Sequence, residues 1–161
     1  MNNAATLSPR ERVLDLQLRY AHAIDEDKLE EWPGFFVEKC RYRVIPRENL
    51  ARNLPACLID CKGRAMLADR IASLRGANIY NIHFDRHLLS PPLLESSKTD
   101  GTVRARTQFL VMQSDQAGVS KAFATGVYLD VVDLSGPDAY FVERTVVLDS
   151  YGVQELLATP I

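Results

Sequence analysis

From His87 onward the chain reads as strand after strand, and that run limits what it can become. Val103–Met112, Ala122–Val132 and Tyr140–Leu148 are long stretches rich in β-branched and aromatic residues. They are separated by turn chemistry at Thr99-Asp100-Gly101, Asp115-Gln116-Ala117-Gly118 and Ser135-Gly136-Pro137-Asp138. Short links between long strands imply antiparallel hairpins. Leu88–Leu94 reads as a further strand, broken by Pro91-Pro92 and therefore suited to an edge or a bulge.

The first third is helical. Ser8-Pro9-Arg10-Glu11 supplies a cap, a proline for the first helical position and a carboxylate to close a capping box. Val13, Leu16, Tyr20 and Ile24 then recur at helical spacing, opposite Arg12, Asp15, Arg19, His22 and Glu26. Asp27-Lys28-Leu29-Glu30 predicts a second short helix, stopped by Pro33-Gly34. The period then changes to two: Cys40, Tyr42 and Val44 alternate with Arg41 and Arg43, and a second extended piece covers Ala56 to Cys61. Met66, Leu67, Ile71 and Leu74 mark a third helix ending near Gly76. Helices first and antiparallel strands after predict one α+β domain over residues 1–161, with the N-terminal helices packed on one face of the sheet. Strands of about ten residues must twist and curl, so the sheet is expected to close into a strongly curved cone with an internal pocket.

Composition removes several classes. The formal charge of −2 comes with Lys and Arg spread along the chain, so the basic patch of a nucleic-acid binder is missing. The first ten residues carry neither the basic nor the apolar region of a signal peptide. The longest apolar runs, such as Phe109-Leu110-Val111-Met112, fall far below the ~18 residues of a membrane span, and a cytoplasmic setting is expected. Cys40, Cys57 and Cys61 are an odd set. In an extended segment Cys57 and Cys61 stand about 13 Å apart, beyond disulfide reach, so free thiols are expected.

Only three histidines are present, His22, His83 and His87. His83-Phe84-Asp85-Arg86-His87 has the residue types of a two-histidine, one-carboxylate iron site. A helix would turn Asp85 away from the histidines, and a strand would hold the two histidines about 13 Å apart. A Rieske cluster needs two histidines and two cysteines, and no Cys-x-His pair occurs. Phosphate-loop, dinucleotide and nucleophile-elbow patterns are absent as well. Acid–base chemistry stays open: Asp25, Tyr42, Asp69 and His87 could meet inside an apolar cone, where burial moves pKa values towards neutrality. Each also has a plainer reading, Asp25 at a helix end, Asp69-Arg70 as a surface ion pair, and His87 as a structural or interface residue entering a strand. Trp32, Phe35 and Phe36 read as core. Arg104, Arg106 and Arg144 lie on strands and predict a solvated sheet face able to meet a partner, with Arg86 and His87 beside it.

Ala23-Ile24-Asp25-Glu26-Asp27-Lys28-Leu29-Glu30-Glu31-Trp32-Pro33-Gly34-Phe35-Phe36, followed by Cys40-Arg41-Tyr42-Arg43-Val44, resembles the start of the small (β) subunits of Rieske-type aromatic ring-hydroxylating oxygenases. Met66–Arg75 and Arg86-His87-Leu88-Leu89-Ser90 resemble that family's third helix and strand entry, and the ordered set covers nearly the whole chain. The tail Glu155–Ile161 and the short loop between the first strand and the third helix are similar to the subunits acting on aromatic acids such as terephthalate, anthranilate and salicylate. The resemblance implies a cystatin-like cone shared with scytalone dehydratase and ketosteroid isomerase. It implies a large α subunit holding the Rieske [2Fe–2S] cluster and Fe(II), an α3β3 assembly with β–β contacts, and electrons from NADH through a reductase or ferredoxin. It places no cofactor and no catalytic residue on this subunit. The residues alone leave two other readings: a stand-alone isomerase or dehydratase of the same cone using a His/Asp dyad, and a small-ligand-binding module without chemistry.

Overall fold

A computed structural model describes residues 7–77, 82–97, 100–153 and 156–161. Thr99 of the first expected turn, Glu155 of the tail and the segment 1–6 lie outside the described residues. The elements run α1 (Pro9–Asp25), a 3-10 helix (Leu29–Phe35), β1 (Phe36–Pro46), α2 (Arg47–Ala51), β2 (Ile59–Lys62), α3 (Arg64–Gly76), β3 (His83–Leu89), β4 (Leu93–Ser97), β5 (Thr102–Asp115), β6 (Ser120–Asp133) and β7 (Tyr140–Leu148).

Helix α1 starts as its sequence dictates. The Ser8 hydroxyl accepts from the Glu11 N–H, and the Glu11 carboxylate accepts from the Ser8 N–H, which satisfies two of the donors left over at a helix start. Val13, Leu16, Tyr20 and Ile24 are buried as their spacing requires. The second helix differs from expectation. It is a 3-10 helix that runs through Pro33 to Phe35, with no side-chain cap at Lys28. Asp27, the expected cap region, takes a positive φ of 56° and gives its carboxylate to Arg75 on α3. The tighter winding seats Leu29 and Trp32 in the core.

The strands form one sheet in the order β2-β1-β7-β6-β5-β3, with β4 also on β5. All neighbours are antiparallel except β1 and β7, which run parallel. The parallel pair follows from chain order, since β1 leaves the helices and β7 returns beside it after the whole meander. The prolines behave as edge residues must: the chain breaks at Ser90-Pro91-Pro92, and β3 and β4 lie end to end along β5. Register shifts at Val111/Met112 and Val131/Val132 bend the two longest strands. The result is an α+β cone with α1, the 3-10 helix and α3 packed on one face of the sheet and the short α2 beside the other.

Alternation decides what enters the cone. On β5, Val103, Ala105, Thr107, Phe109, Val111 and Gln113 point in, while Arg104, Arg106 and Gln108 point out. Cys40, Tyr42 and Val44 point in from β1. Cys40, Cys57 and Cys61 are free thiols, and burial raises the pKa of Cys40 and Cys61. No helix among the described residues is long and apolar enough to cross a membrane.

Candidate functional site

Three polar groups meet in the cone. The first is an ion pair at its centre. Arg144 on β7 and Asp130 on β6 are direct cross-strand partners. The guanidinium Nε and Nη2 donate to the two carboxylate oxygens at 2.9 and 2.7 Å. Gln17 of α1 donates to the same carboxylate and exchanges hydrogen bonds with Thr107. Tyr20, Tyr128 and Phe141 surround the cation, each ring centre 4.0–4.2 Å from Cζ. Arg144 is 0% exposed. Burial opposes its charge, and the Asp130 carboxylate more than offsets this and raises its pKa. The expectation of a solvated sheet face therefore fails for Arg144. It shares strand parity with the buried Val146 and Leu148, so the pleat sends it inward.

The second group is a pair. Asp25, the last residue of α1, accepts from the His87 main-chain N–H at 2.9 Å, and its other oxygen lies 2.6 Å from His87 Nδ1. Two donors of the sheet edge are thus held by one carboxylate at a helix end. The His87 side chain is 1% exposed, and its Nε2 has no hydrogen-bond partner among the described residues. The His87 side chain therefore points away from the outer face that carries Arg104 and Arg106. Arg86, its neighbour, is exposed and reaches back to the Asp25 carbonyl and Glu26.

The third group closes the cone. The hydroxyls of Tyr20 and Tyr42 both donate to the Ile161 carbonyl, at 2.8 and 3.1 Å, and the Tyr42 oxygen accepts from the Ile161 N–H at 3.0 Å. Ala158 and Ile161 are buried. Around them Trp32, Phe36, Tyr42, Tyr20 and Phe141 pack ring edge to ring face at 5.0–6.2 Å. Burial raises the pKa of Tyr20, Tyr42 and Tyr128.

The acid–base candidates separate on this geometry. Asp25 and His87 meet; Tyr42 is committed to Ile161; Asp69 is exposed, and Arg70 turns to the Leu157 carbonyl instead of pairing with it. His22 is exposed. His83, Asp85 and His87 share one face of β3, as a strand requires. Asp85 there accepts from Gln113 and Thr159, and His87 is bound to Asp25. Among the described residues no group of three His, Cys, Asp or Glu converges in a way that could hold a metal, so this donor set does not fit a Rieske cluster or a mononuclear iron. Gln17, Asp130 and the Ile161 lock were not among the sequence candidates. The parity of Asp130 with Tyr128 and Val132 was the available signal.

Outside the cone, Arg104 and Arg106 are exposed on the convex face. Beside Arg106 lies a groove of ≈ 260 Å³ floored by Val127, Leu129 and Val147 and bounded by α2.

Residues 5–144 match the family model of the SnoaL-like domain. The chain is 38% identical over 146 residues to the anthranilate 1,2-dioxygenase small subunit of Burkholderia cepacia, covering 91% of this chain and 90% of that one. It is 38% identical over 143 residues to the terephthalate 1,2-dioxygenase terminal oxygenase component subunit beta 1 of Comamonas sp, covering 88% and 92%. The solved β subunit of an aromatic-ring-hydroxylating dioxygenase from Novosphingobium aromaticivorans superposes with a TM-score of 0.86 at 38% identity, covering 94% of this chain and 96% of that one.

Proposed function

The chain belongs to the SnoaL-like family and, within it, to the small (β) subunits of aromatic ring-hydroxylating dioxygenases, and from that premise we propose that it serves as the structural partner of a large α subunit that carries the chemistry. The observation that supports this reading is the aromatic interior. Tyr20 and Tyr42 hold the chain's own Ile161, and Trp32, Phe36 and Phe141 pack ring against ring around them. In this reading the α subunit supplies the Rieske [2Fe–2S] cluster and Fe(II), a reductase delivers electrons from NADH, and dioxygen is the oxidant. We place the assembly as α3β3 with β–β contacts, in the cytoplasm. The substrate we propose is an aromatic acid, salicylate in particular, on the strength of the likeness to the short subunits of this group. The chain's own contribution is rigidity: a cone locked by the Arg144–Asp130 pair and the Ile161 lock, presenting a fixed outer surface.

The test is co-expression of the chain with the Rieske-type large subunit of its own host. A stable hetero-oligomer that hydroxylates salicylate is the expected result, and a monomer that captures no large subunit contradicts the proposal.

A second reading draws on the Asp25–His87 pair, which has the makeup of a general-base dyad for a stand-alone isomerase or dehydratase. The burial of its imidazole speaks against it. Turnover of a cyclic ketone or hydroxylated aromatic by the isolated chain, abolished in His87→Ala, would establish it.

A further inference from the structure

One stretch of the chain is held the way a bound peptide is held. Residues 156–161 join no strand of the sheet, and side chains from four elements grip them instead. Arg70 of α3 donates to the Leu157 carbonyl at 3.2 Å, and Thr159 donates to Asp85 of β3 at 3.1 Å. Tyr20 of α1 and Tyr42 of β1 donate to the Ile161 carbonyl. Ala158 and Ile161 are buried. The segment is a strap laid into the cone, with Ile161 at its inner end.

That inner end gathers more donors than the strap uses. Burial raises the Tyr20 pKa, while the Arg144 charge and the Trp32, Tyr42 and Arg144 donors lying against the Tyr20 hydroxyl lower it. Trp32 and Arg144 are fully buried, yet Trp32 Nε1 and Arg144 Nη1 complete no hydrogen bond among the described residues. Buried donors are nearly always paired, so two unpaired ones beside one hydroxyl point to an acceptor that belongs there. Two phenols, an indole N–H and one edge of a guanidinium thus stand around a single main-chain oxygen.

The chemistry of the donors selects the ligand. Each group in the cluster can donate, and a carboxylate offers two oxygens with lone pairs enough to meet them, in bonds strengthened by its charge. Asp130 balances Arg144 through Nε and Nη2 and takes a further donor from Gln17, which leaves Nη1 and three uncharged donors for the incoming anion. The surroundings suit a flat ring: Trp32, Phe36, Tyr42 and Phe141 pack edge to face about Tyr20. Resting on the aromatic-acid reading above, we propose that the cone contains a carboxylate-binding site for a small aromatic acid, occupied by Ile161 while the strap is seated and opened when the strap withdraws.

Trp32 is the only tryptophan in the sequence, so its emission reports on the site. The full chain is titrated with benzoate while Trp32 emission and the Ile161 methyl resonances are followed. A saturable change in emission is expected, with the Ile161 methyls moving to the positions of a solvated side chain. Removing residues 156–161 is expected to tighten benzoate at least about tenfold, because the strap no longer competes. Tyr20→Phe in that shortened chain is expected to weaken it about tenfold, the share of one hydrogen bond to a charged group. Benzyl alcohol, which keeps the ring and lacks the carboxylate, is expected to bind more weakly than benzoate. Benzyl alcohol binding as tightly as benzoate, or Ile161 methyls that stay buried while Trp32 responds, would overturn the site. Should the shortened chain fail to fold, the full-chain titration decides alone, and the absence of any saturable response overturns the proposal. Recovery of the Rieske-type large subunit by the wild-type chain is measured in parallel. Its loss strikes the subunit reading, whereas a silent titration with recovery intact strikes only this site.

Discussion

Arg144 concentrates more physics than any other side chain in the protein. A fully buried ion pair is not stabilising by itself, because desolvation offsets much of the attraction. Here the bidentate geometry, the Gln17 donor and three aromatic faces meet most of the groups' needs. Breaking the pair is another matter. Arg144→Leu leaves Asp130 charged and unpaired in the core, and about 3–5 kcal/mol of stability should be lost, measurable by urea unfolding. The tyrosines give a pH signature. Burial raises Tyr20, Tyr42 and Tyr128 above the ordinary value of 10.0. The folded state then binds more protons than the unfolded state, so the stability from their neutral burial is complete below pH 10 and is lost as pH rises above it. Urea midpoints should hold between neutral pH and pH 9 and fall beyond pH 10. A midpoint constant to pH 11 would contradict this assignment. Residue identity also explains where sequence reading stopped. Inward and outward positions on β5 are legible because Val103, Ala105, Phe109 and Val111 alternate cleanly with polar residues. Arg144 broke the equation of charge with exposure, and only its phase with Val146 and Leu148 gave it away.

At the scale of elements, the cone depends on close contact between β5, β6 and β7. Gly126 lies between Phe109 and Leu148, and a Cβ there would come 2.0 Å from the Val147 carbonyl oxygen and 3.1 Å from the Phe109 ring. Gly126→Ala must push β7 from β6 or distort the strand, a cost of about 1–3 kcal/mol or more. A matching loss in thermal unfolding, with the Phe109–Tyr128 stack disturbed, is the expected outcome. The start of α1, the α3 span and the break at Pro91-Pro92 were legible because local chemistry fixes them, whereas the short α2 carries no side-chain cap and was not. The parallel pairing of β1 with β7 was not, since it is set by the closure of the whole sheet. The Asp25–His87 pair was legible only as a possibility: 62 residues separate its members, and their meeting needs α1 laid across the edge at β3.

At the scale of the whole molecule, α1, the 3-10 helix, α3 and Ile161 cover the inner side of the sheet, while the outer side keeps exposed Leu88, Leu93, Arg104 and Arg106. That asymmetry suits a part made to be held by others. The resemblance quoted from the sequence covered the family because its motifs lie in order along most of the chain. It could not place contacts, which depend on which strand face each arginine takes. The central claim is that this chain supports chemistry without performing it, and the most direct measurement is aromatic-acid hydroxylation by the assembled hetero-oligomer carrying His87→Ala. The account predicts a kcat within about twofold of wild type per iron-loaded large subunit, since no transition-state contact is removed. A loss of about a hundredfold, the scale of a missing general acid or base, in an intact assembly with full iron content would contradict it.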